Sequence, residues 1–99
     1  MRIAVPHNTT KEKARAIVEK KIDDLQKQYG HYASDLEKSW SGDRLDFSVK
    51  AKGLQGKGTV DVTDTDVIID GKLPLMAKPF EPRIRSTVEK EAEQLFRTA

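Results

Sequence analysis

RLDFSVKAKGLQGKGTVDV, residues 44–62, is the stretch on which the fold turns. Leu45, Phe47, Val49 and Ala51 alternate with Arg44, Asp46, Ser48, Lys50 and Lys52. A period of two sends successive side chains to opposite faces, so this is a strand with one apolar and one wetted side. Gly53 ends the run, and the alternation resumes at Leu54, Gly56, Gly58, Val60 and Val62. Two such runs joined by a short glycine link pair antiparallel. Gly56 and Gly58 stand on the face where inward side chains belong. Glycines there indicate a bend, or a close approach by a helix backbone.

Working outward, Thr63-Asp64-Thr65-Asp66 has turn chemistry, and Val67-Ile68-Ile69 opens another strand that Asp70-Gly71 stops. Upstream, Ser41-Gly42-Asp43 is a second turn, preceded by a short strand carrying Leu36, Ser39 and Trp40. Trp40 then lies across from the start of the Leu45/Phe47 strand and shares its apolar face. A cross-strand aromatic pair fixes register and adds about 0.2–1 kcal/mol. RIAVPH, at the start of the chain, reads as a strand with Ile3 and Val5 on one face. Pro6 has no N–H to give a ladder, so this strand is an edge or ends there.

Helical spacing flanks these strands. Ala14, Ile17, Val18, Ile22 and Leu25 recur as one helix face, introduced by a Thr9/Glu12 capping box and closed near Tyr29 by Gly30 as a left-handed cap. Ile84, Val88, Ala92, Leu95 and Phe96 form a second stripe, with Pro82 in its first turn. The order is β-α-β-β-β-β-α, a single α+β domain over 1–99, with two helices on one face of an antiparallel meander. A sheet curled around the C-terminal helix, a helix-grip-like arrangement, would make use of the two glycines.

Composition narrows the function classes. The 99 residues are 36% hydrophobic and 34% charged, with net charge +2 and no cysteine. Disulfide and thiolate chemistry are excluded. Residues 1–34 hold seven Lys/Arg against four acids, residues 35–70 five against eight, and residues 71–99 six against four. Bases interleaved with acids make a solvated helix face, not a stripe that neutralises phosphates, so nucleic acid is not an expected partner. The N-terminus lacks an apolar signal region, and no apolar run reaches the roughly 20 residues of a membrane span. A soluble cytoplasmic protein is the expectation.

Few residues suggest catalysis. His7 and His31 follow a strand end and a helix end without local partners at ligand spacing, and are read as surface or loop histidines. Asp61, Asp64, Asp66 and Asp70 are the densest acids, but counting from Asp64 puts Ile68 and Ile69 where a calcium loop needs a ligand and a glycine. Asp43 and Asp46, three apart on a strand, face opposite sides. GLQGKG lacks the Lys-Ser/Thr ending of a phosphate loop. No catalytic residue, metal site or cofactor is assigned. The one stretch singled out is the connector LPLMAKPF, where Leu73, Leu75, Met76 and Phe80 place four apolar side chains in a segment broken by prolines. It serves either as a flap sealing the core or as an adaptable apolar lip for a ligand or partner. With Trp40, these four are the candidate binding residues.

Taken in order, the strand ending in Pro-His, the helix EKARAIVEKKIDDLQKQYG, the segment WSGDRLDF, the strand GLQGKGTVDV, the Leu-Pro-Leu connector and the final charged helix resemble the polyhydroxyalkanoic acid system proteins. These are small bacterial proteins named for genes lying near polyester-granule genes. The resemblance spans nearly the whole chain and transfers no catalytic residues. It implies an accessory or binding protein of the polyester storage-granule system, with a granule surface, an apolar ligand or another protein of that system as partner. Alternatives are a carrier enclosing an apolar ligand between sheet and C-terminal helix, or a small hydrolase- or cyclase-like enzyme. A homodimer through the first strand or the connector is also open.

Overall fold

The computed structural model describes residues 1–30, 35–51 and 53–97; His31 and Lys52 lie outside them. Along the chain come β1 (Arg2–Pro6), α1 (Lys11–Tyr29), β2 (Asp35–Ser41), β3 (Arg44–Ala51), β4 (Leu54–Val62), β5 (Asp66–Lys72), a 3-10 helix (Leu75–Phe80) and α2 (Glu81–Phe96). The strands form one antiparallel sheet in the order β1-β5-β4-β3-β2. The expected order and α+β class are therefore present. β2 to β5 are the meander, and β1 joins it beside β5, as an edge strand, consistent with Pro6.

Register lines up the inward side chains in rows. Ile3, Ile69, Val60, Leu45 and Trp40 face one another across all five strands, and Val5, Val67 and Val62 form the next row. The fully buried Leu45 and Val67 sit at the centre, capped from the helices by Ala14, Val18, Ala92 and Phe96. Burying each larger aliphatic or aromatic side chain contributes roughly 1.5–3 kcal/mol. Because only one face of the sheet is apolar, both helices must share it. α1 lies on β4 and α2 along β1, with Lys21 Nζ 3.3 Å from Glu91 Oε2 between them.

Four local expectations are corrected, the first being that β5 runs through Asp70-Gly71 to Lys72 instead of stopping there. The N-cap of α1 is Thr10, whose hydroxyl accepts from the Lys13 N–H at 3.2 Å. The chain needs the extra residue because Asn8 turns it through φ 56°, a left-handed conformation that asparagine tolerates. Gly30 is right-handed at φ −58°, so it extends the helical turn instead of reversing it. Gly58 is closely approached, but by a phenyl ring and a strand. A Cβ there would lie 2.6 Å from Phe47 Cζ and 2.7 Å from the Asp70 carbonyl oxygen.

The two hairpin turns behave as read. Gly42 takes φ +61° in the two-residue link between Ser41 and Arg44, a conformation glycine adopts without a Cβ penalty. At the β4–β5 turn the Thr63 hydroxyl accepts from the Asp66 N–H at 2.8 Å and the Thr65 N–H at 3.3 Å. That is the side-chain mimicry of a backbone turn that threonine and aspartate favour.

Candidate functional site

Two regions hold the candidate residues, the connector that follows the inner strand β5 and the surroundings of Trp40 on the edge strand β2. Pro74 and Pro79 cannot donate hydrogen bonds, so a continuous α-helix is blocked. The chain instead tightens into the 3-10 helix, with the Ala77 N–H bonded to the Pro74 carbonyl at 2.9 Å. This short coil holds its large side chains outward: Leu75 is 80% exposed, Met76 74% and Phe80 60%. Leu73, just before it, is half-buried. None of the four connector residues belongs to the core cluster, and the three on the coil stand in water. An ordered coil that exposes three large apolar side chains gains nothing from folding alone.

The second site surrounds Trp40. Its ring is half-buried between β2 and α1, in the row of Leu45 as the turn predicts. Nε1 donates to Glu19 Oε2 at 2.6 Å, and the Arg15 guanidinium lies 4.5 Å from the ring centroid. Glu19 also receives Lys38 Nζ at 3.0 Å, and Lys38 is shared with Asp23. The hydrogen bonds from Trp40 and then Lys38 hold the Glu19 carboxyl below its ordinary range, and Asp23 and Glu19 raise Lys38. Lys38 points to the inner face of an edge strand. A charge so placed obstructs pairing by another strand. Trp40 Nε1, Glu19, Lys38 and Asp23 are bonded to one another, and a cation stacked on a partly exposed ring adds about 0.5–1 kcal/mol. The cluster is a clamp between helix and edge strand. Trp40 is three strands away from the connector, about 14 Å of sheet width, so the five candidate residues do not make one site.

A concavity of about 650 Å³ lies on the outer, wetted face of the sheet, with Glu37, Asp46, Ser48, Lys57, Asp70 and Lys72 in its lining. A smaller one is bounded by Glu12, Arg15, Glu19 and Trp40. Neither lies between the sheet and α2, where a carrier would hold an apolar ligand. Among the described residues no three His, Asp or Glu side chains gather to hold a metal, and no helix is long and apolar enough to cross a membrane.

His7 is the residue that sequence reasoning misplaced. It is fully buried. Nε2 lies 2.8 Å from the Thr63 carbonyl, while Nδ1 accepts from the Thr9 N–H at 3.2 Å. A backbone N–H can only donate, so Nδ1 is bare and Nε2 carries the proton to Thr63. The ring also tilts against Phe96 at 6.5 Å. It stitches the β1–α1 link to the β4–β5 turn, a long-range role with no local signature.

The fold and surface define a small α+β protein that turns a short apolar coil to the outside at one end of a polar sheet. The chain belongs to the family described as “Putative polyhydroxyalkanoic acid system protein”, whose model matches residues 1–96. Neither a curated protein nor a solved structure matches it.

Proposed function

We propose that this chain is a non-enzymatic accessory protein of the bacterial polyhydroxyalkanoate system, acting in the cytoplasm, and that its connector is the contact with the hydrophobic storage granule. The observation that carries the reading is the exposure of Leu75, Met76 and Phe80 on an ordered coil. Family membership supplies the system, and the apolar coil supplies a means of touching a polyester surface. The polar groups around Trp40 and His7 are occupied with one another, which favours a binding protein over a hydrolase or cyclase.

The test is co-sedimentation of purified protein with native granules. The chain should pellet with them above an unrelated control protein, and Leu75→Ser/Phe80→Ser should stay in the supernatant while remaining folded. Wild-type protein that pellets no better than the control would end the granule-surface reading.

A further inference from the structure

Among the described residues, the five exposed large apolar side chains lie toward one end of the molecule. Leu75, Met76 and Phe80 follow directly from β5, whose last residue, Lys72, pairs with Lys57. Leu54 is three residues beyond Lys57, at the turn between β3 and β4, which opens at that same end. Leu25 is two residues past Asp23, which meets Lys38 in the row of Phe47, Gly58 and Gly71, so it too points toward this end of α1. α2 starts here as well, with Glu81 Oε1 3.5 Å from the N-terminal ammonium of Met1.

The charges are distributed unevenly along the same axis. At the far end Lys11 bridges Asp43 at 3.1 Å and Asp64 at 3.6 Å and Arg44 grips Asp61 through two bonds, while Lys13 and Arg97 stand outside any ion pair among the described residues. At the apolar end stand Lys27, Lys57, Lys72, Lys78 and Arg83, none in an ion pair among the described residues. Lys57 and Lys72 are direct cross-strand partners on the wetted face. Two like charges so placed cost stability in the free protein. The acids at this end are Asp24, Asp35, Glu37 in the row of Lys57 and Lys72, and Glu81, the last held by the N-terminus.

From this distribution we infer that the apolar end is an interfacial docking surface for an anionic phospholipid layer, which the protein meets end-on. Leu75, Met76 and Phe80 enter the acyl boundary, and the five cations lie at headgroup level. Apolar insertion combined with basic residues at the rim is how a peripheral protein recognises such a layer. A second copy is the poorer occupant, because a two-fold contact would bring the cationic rims together. The inference rests on the reading of the connector as a contact surface and adds the partner's charge and the orientation.

Flotation of the full chain with vesicles tests it. Vesicles of equimolar phosphatidylcholine and phosphatidylglycerol should carry the protein, and vesicles of phosphatidylcholine alone should not. Lys57→Gln/Lys72→Gln should weaken the partition about tenfold or more, and Leu75→Ser/Phe80→Ser should abolish it, with circular dichroism unchanged in both. Binding that is equal on the two vesicle types, or absent from both, overturns the inference. So does a concentration-dependent dimer that Leu75→Ser dissociates. Protein that pellets with granules yet ignores anionic vesicles refutes this inference alone; protein that binds vesicles but not granules refutes the granule contact alone.

Discussion

Gly56 and Gly58 sit two residues apart on the same strand and face, and replacing each by alanine should move stability in opposite directions. Glycine inside a strand costs about 0.5–1 kcal/mol relative to alanine, through the conformational freedom it loses on folding. At Gly56 a new Cβ meets only Val49 Cγ1, at 3.7 Å, which is ordinary contact. Gly56→Ala should therefore recover part of that cost and stabilise by up to about 0.5 kcal/mol. At Gly58 the Cβ would stand 2.6 Å from Phe47 Cζ and 2.7 Å from the Asp70 carbonyl oxygen. The ring can swing away, but the carbonyl belongs to the neighbouring strand and cannot move without loosening the β4–β5 ladder. Overpacking of this kind costs about 1–3 kcal/mol, which exceeds the entropic gain and leaves a net loss of about 1–2 kcal/mol. In a domain of this size, 1 kcal/mol shifts Tm by roughly 4–8 °C. Thermal unfolding followed by circular dichroism, with Trp40 fluorescence as a second probe, reads both variants. Gly58→Ala that melts at or above the wild-type temperature would refute the close-approach argument. Gly58→Ala/Phe47→Leu should recover only part of the loss, since the Asp70 carbonyl remains.

Other expectations follow from the same contacts. The depressed Glu19 carboxyl contributes stability that is fully present above its ordinary range, near 4.5, and disappears as pH falls through its lower folded-state value. Trp40 fluorescence should therefore step in acid below about pH 4.5, and Glu19→Gln should remove that step; superimposable acid titrations of the two proteins would refute the pairing. His7→Ala leaves the Thr63 carbonyl and Thr9 N–H unpaired in a buried setting and should destabilise by about 2–4 kcal/mol in urea unfolding; a loss under 1 kcal/mol would contradict the stitch. Leu45→Ala, at the fully buried centre of the longest row, should cost about 2–5 kcal/mol. Leu75→Ser should change stability by less than about 0.5 kcal/mol, because its side chain is already in water.

The sequence by itself determined the elements, because their signals are local. Alternation over residues 44–62 and at Ile3 and Val5, the stripe from Ala14 to Ile22, and the turn residues at Gly42 and Thr63–Asp66 each encode a face or a reversal within a few residues. The Ser41-Gly42-Asp43 turn put Trp40 across from the start of the Leu45/Phe47 strand, and the structure pairs it with Leu45. Tertiary structure alone decided what depends on distant segments meeting. Nothing in RIAVPH says which edge of the meander β1 will join, since that depends on where α1 returns the chain. His7 is buried only because Thr63, 56 residues away, is brought to its ring. Gly58 is required because Phe47 lies over it, and Thr10 caps α1 in place of Thr9 because Asn8 adjusts the entry angle. Leu25 and Leu54, separated from the connector in sequence, come to the same end as Leu75, and the unpaired lysines gather around them. The residues named the connector as apolar; only the packed sheet, by leaving it nothing to cover, made it a surface.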